Sequence, residues 1–139
     1  MGAGLRAGTA YFVLVFLAGG PLGIGRTLLL EPSLDPIAAT LIEMPLMLLL
    51  SWCLCGLVLK RLCVPPFLKA RATMGGLAFL LLMTAELGLS LYAVGGTVSG
   101  PFDAYREPAR LIGLAGQILY GLFPVIQRWP AQTPLPRLA

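Results

Sequence analysis

The chain has 139 residues, of which 58% are hydrophobic and only 12% charged, with ten basic side chains, six acidic ones and no histidine. A soluble domain carries about 25% charged residues. This chain is half as charged and has a mean hydropathy of +0.87, which excludes a soluble catalytic domain of ordinary composition and makes lipid the expected solvent. The absence of histidine excludes imidazole metal sites, histidine acid–base catalysis and haem ligation by histidine.

About 20 apolar residues are needed to cross roughly 30 Å of hydrocarbon. Four stretches approach that length: Ala7 to Gly25 without a charge, Pro36 to Leu59 broken by Glu43, Ala72 to Phe102 broken by Glu86, and Leu111 to Gln127, the shortest at 17 residues. The expected architecture is all-α, a four-transmembrane-helix bundle in one domain over residues 1–129, with spans at 7–30, 37–59, 73–94 and 109–126. Residues 130–139 hold three prolines and read as a disordered tail.

Span one passes through Gly19-Gly-Pro-Leu-Gly-Ile-Gly25, where a kink is expected, and reaches Arg26. Arg6 followed by TAYFVLVFLAGG also fits a signal peptide cleaved after Gly20, but the apolar character continues through PLGIG, which favours a retained helix. Glu31-Pro-Ser-Leu-Asp-Pro36 forms a short turn. Span two carries Glu43 and Pro45 and leads into a basic loop with Lys60, Arg61, Lys69 and Arg71. Span three carries Glu86 and ends among glycines; span four returns, with Tyr105 and Trp129 as interface anchors.

Four of the ten basic residues fall in that one loop. Lys/Arg excess marks the cytoplasmic side. Both termini are then cytoplasmic, and the inside holds seven basic residues, with Arg6, Arg128 and Arg137 added, and no acids. The net charge of +4 is therefore a topology signal; a nucleic-acid partner is not expected.

At a rise of 1.5 Å per residue, Glu43 lies about 9 Å, and Glu86 and Gln117 about 12 Å, below the outer ends of their spans. Arg26 hangs from the outer part of span one. Each helix thus offers one strong polar group to the same outer half. Thr40 and Glu43 share one side of span two, Glu86 and Ser90 one side of span three, and Ala109, Gly113, Gln117 and Gly121 recur every fourth residue on span four. The small residues of that stripe, with Gly19 and Gly23 of span one, are expected to let helices approach closely. Either the polar cluster fixes helix register, or it serves a pathway or proton relay, since a charge at the bilayer centre costs about 2.5–3.5 kcal/mol.

Cys53-Leu-Cys55 and Cys63 lack the C-x-x-C spacing of a redox pair and the fourth ligand of a metal site, so they read as apolar fillers. No cofactor is expected.

Gly19-Gly-Pro-Leu-Gly-Ile-Gly-Arg26 resembles the first-helix GG-x-x-G-x-x-R pattern of small four-helix fluoride channels. The likeness stops there: LIEMPLMLLL replaces that family's N-x-x-G region, and LLLMTAELGLSLYAV replaces its ion track, so a fluoride channel is rejected. With Glu43-Met-Pro45 in span two and Ala85-Glu-Leu-Gly88 in span three, the chain as a whole resembles small four-helix inner-membrane proteins of bacteria, a likeness that implies a location and no activity.

The expectation is a multi-pass protein of the bacterial inner membrane, surrounded by lipid and forming a homo-oligomer or part of a larger membrane complex. The best functional reading is a non-enzymatic transporter or channel-like bundle using Glu43 or Glu86. Because four short helices are expected to enclose little space, a pathway would call for a second copy. An accessory subunit of a larger complex is the alternative. A lipid-modifying enzyme with two glutamates as acid and base ranks third, for want of a nucleophile or metal.

Overall fold

The computed structural model describes residues 2–30, 32–93, 106 and 108–127. These are helical almost throughout. Helix α1 spans Gly2–Gly25 and runs on into a π-helical turn, Arg26–Leu30; α2 spans Pro36–Arg61, α3 Leu68–Ala93 and α4 Pro108–Ile126. All four are long and apolar enough to cross a membrane. Glu31, Tyr105, Trp129 and the 130–139 tail lie outside the described residues.

The helix bounds follow local chemistry. Pro36 at the first position of α2 needs no hydrogen-bond partner for its nitrogen. Lys60 and Arg61 close α2 beside its exposed carbonyls, where cations are favoured. Cys63 then takes a left-handed φ of 48°, and the Val64 amide donates back to the Leu59 carbonyl at 3.2 Å, a Schellman-type stop. The glycine- and proline-rich stretch of α1 does not end the helix: Pro21 is carried inside it, and the ladder widens to π-helical bonding only at Arg26. Two helices begin earlier than expected from charge. α1 starts at Gly2 rather than Ala7, and α3 at Leu68 rather than Thr73, which places Lys69 and Arg71 in the first turn of α3 and not in the loop. Charge argues against membrane depth but does not break a helix.

α1 packs on α2 and α3, and α4 packs on α2 and α3, so the order around the bundle is α1–α3–α4–α2. The chain-consecutive pair α2 and α3 therefore sits on a diagonal, joined by residues 62–67, which run beneath the bundle. Three glycine contacts set the closest approaches. A Cβ on Gly4 or Gly8 would lie 2.8 Å from the carbonyl oxygens of Ala70 and Met74, and one on Gly75 would collide with the Gly121 carbonyl. Only a missing side chain permits such contact.

The packed core gathers at the loop end: Ala7, Tyr11 and Val15 of α1, Cys55, Val58 and Leu59 of α2, Val64 of the loop, Met74 and Ala78 of α3, and Tyr120 and Phe123 of α4. Across the second diagonal the Tyr11 hydroxyl donates to the Tyr120 carbonyl at 3.1 Å, and the two rings stack with centroids 4.5 Å apart. The outer surface is apolar, with Leu17, Leu28, Leu29, Leu49 and Leu80 all more than 60% exposed.

Candidate functional site: a polar cavity at the open end

Above the tyrosine stack the helices part. They enclose a half-open cavity of about 880 Å³, to which every helix contributes. This corrects the expectation that one copy encloses little space. The packed core and the loop hold the helices together at one end; at the other, polar side-chain contacts link neighbouring helices around the cavity.

Arg26 enters from the π-helical turn at the end of α1. Its Nε lies 2.8 Å from Oε2 of Glu43, and its Nη1 donates to the Thr40 hydroxyl at 3.5 Å. Glu43 and Thr40 lie three residues apart on α2 and so share a face. The ion pair is mostly shielded, with the two side chains 31% and 18% exposed. On the opposite wall Gln117 of α4 donates from Nε2 to Oε1 of Glu86 on α3 at 2.5 Å. The four polar groups expected to share one depth thus line one cavity, but as two separate pairs: an ion pair between α1 and α2, and a carboxyl–amide pair between α3 and α4.

Ser51, buried deep on α2, Tyr120 at the floor and Arg110 at the exposed rim complete the polar lining. The Tyr120 hydroxyl is buried without a hydrogen-bond partner among the described residues. Phe16, Met44, Met47, Leu48, Leu82 and Leu114 provide apolar walls.

The small-residue stripe divides. Gly121 meets α3, where a Cβ would lie 3.2 Å from Phe79 Cβ, whereas Ala109 and Gly113 line the cavity and Gly113 faces open space. Gly19 meets only the flexible tip of Met47, and Gly23 faces open space on the cavity wall. Among the described lining residues Ser90 does not appear; it is half-buried one turn beyond Glu86.

Of the four basic residues assigned to topology, Lys60, Arg61 and Lys69 are exposed. Arg71 is only 5% exposed: its Nε donates to the Pro65 carbonyl at 3.1 Å and Nη2 to the Val64 carbonyl at 3.3 Å. It clamps the connecting loop under the bundle. Sequence reasoning missed this clamp, the tyrosine stack, and the Gly4, Gly8 and Gly75 contacts. A G-x-x-x-G spacing at Gly4 and Gly8 was the available signal, but Gly4 lay outside the expected span, which began at Ala7.

Comparison with protein families, curated proteins and solved structures finds no match to this chain.

Proposed function

We propose that the chain is a four-span protein of the bacterial inner membrane, with both termini cytoplasmic, acting as a small transporter or channel-like bundle in which Glu86 is the proton- or ligand-binding group. The supporting observation is the difference between the two carboxyls of the cavity. Glu43 is engaged by a guanidinium, whereas Glu86 is held by a neutral amide. Among the described residues no cation stands within ion-pair distance of Glu86. Arg110 and Arg26 act on it only from a distance, and a membrane acid without a direct ion pair is a candidate for pathway chemistry.

The amide partner suits both protonation states. Ionised, Glu86 accepts from Gln117 Nε2; protonated, it can donate to the amide oxygen of the same side chain. Glu86 can thus exchange a proton without losing its partner. The cavity is open at one end and closed at the other by the tyrosine stack, the core and the Arg71-clamped loop, an arrangement suited to access from one side at a time. An enzymatic acid–base pair fits less well, since Arg26 occupies Glu43.

The test is proton flux in liposomes reconstituted with the purified chain, followed by an internal pH-sensitive dye. A flux reduced about tenfold or more by Glu86→Gln, and far less by Glu43→Gln with Arg26→Gln, supports this reading; removing an essential proton-transfer group typically costs at least that much. Flux unaffected by Glu86→Gln refutes it. If the chain instead co-purifies in a stoichiometric larger complex, it is an accessory subunit.

A further inference from the structure

We propose that the cavity binds apolar organic monocations, a single onium centre on a hydrophobic body, at Glu86 in competition with a proton. This rests on the proton-binding reading of Glu86 and adds the class of ligand. Charged and titratable groups face Glu86 from each wall: Arg26 on α1, Glu43 on α2, and Arg110 and Tyr120 on α4. Arg26 and Glu43 neutralise each other at 2.8 Å. Arg110 stands at the exposed rim and acts on Glu86 from beyond ion-pair distance. The charge left deep in the cavity is the Glu86 carboxylate. A cation entering there pairs with that carboxylate and a proton neutralises it, so the two exclude each other.

The walls select the rest of the ligand. They are aliphatic, aromatic and thioether side chains, and the unbranched Met44 and Met47 can repack around different shapes. The volume of about 880 Å³ lies in the range that holds drug-sized molecules.

The experiment is equilibrium dialysis of the full chain in lipid nanodiscs against tetraphenylphosphonium and tetraphenylborate, which share a shape and differ in sign. The expected result is saturable phosphonium binding in mildly alkaline buffer. It should weaken about tenfold or more in acid, as protonation of a carboxyl requires, and be lost in Glu86→Gln; tetraphenylborate should not saturate. Saturable tetraphenylborate binding that Arg110→Ala abolishes would overturn the proposal in favour of an anion site. So would phosphonium binding that ignores pH or survives Glu86→Gln. Should that variant fail to fold, the wild-type pH series decides alone. Glu86-dependent proton flux without phosphonium binding rejects the cation proposal and leaves the transporter reading standing; loss of both rejects both.

Discussion

Two acids sit in apolar helices, and they meet different fates. Glu43 lies about two turns inside α2, where Arg26 descends from the π-helical end of α1 to meet it at 2.8 Å. Removing one partner of a buried pair leaves the other uncompensated, which costs about 3–5 kcal/mol when burial is complete. This pair is partly exposed, so Arg26→Gln alone should destabilise the protein by about 2 kcal/mol, less than that full cost. The double variant with Glu43→Gln should recover more than half of the loss, as expected of coupled partners. Thermal unfolding of the three variants in detergent checks this. The shared depth of Arg26, Glu43, Glu86 and Gln117 was legible, because helical rise converts sequence position into height. The pairing was not: height is common to all four, and only the azimuth of each helix decides which acid Arg26 reaches.

Azimuth is also what the helices concealed at the scale of elements. α1 and α3 are apolar nearly all round, so hydrophobic periodicity does not mark their buried faces. Polar and small residues become the only guides, and they guided unevenly. Gly121 belonged to a stripe and does touch α3. Gly113 belonged to the same stripe but faces the cavity. Gly75, the closest contact of all, followed no pattern, and Gly4 fell before the expected start of span one at Ala7, which left Gly8 without its partner in the G-x-x-x-G spacing. Gly75→Ala would drive a methyl into the Gly121 carbonyl, and α3 and α4 would have to separate. A loss of about 1–3 kcal/mol is expected, the usual cost of overpacking. Gly76→Ala, which adds a methyl to open space on the next residue, should be neutral or slightly stabilising. The contrast between the two melting curves isolates the packing contribution from helix propensity. Arg71 was misplaced for a related reason. Its charge was taken as a mark of loop, whereas the helix begins at Leu68 and uses that charge to hold two loop carbonyls.

Across the whole molecule, the two ends of the bundle divide the work. The loop end is packed and clamped; the opposite end is open and polar. The span count was legible from hydropathy. The order α1–α3–α4–α2 was not, since a short connection suggests adjacent helices and residues 62–67 instead cross a diagonal. The proposed orientation puts that loop in the cytoplasm. Cys63, exposed on it, should then react with a membrane-impermeant maleimide in inverted vesicles and resist it in intact cells. Cys53, exposed on the apolar surface of α2, should be protected by lipid in both. The opposite labelling of Cys63 would reverse the topology and turn the cavity towards the cytoplasm. The central claim is that Glu86 is a proton-exchanging carboxyl reached through the cavity, and infrared difference spectroscopy of the protein in nanodiscs tests it most directly. The account predicts a protonated-carboxyl band that appears on acidification, vanishes in Glu86→Gln and shifts in Gln117→Leu, which removes its hydrogen-bond partner. A Glu86 band that never changes with pH, or a pH-dependent band that persists in Glu86→Gln, would contradict it.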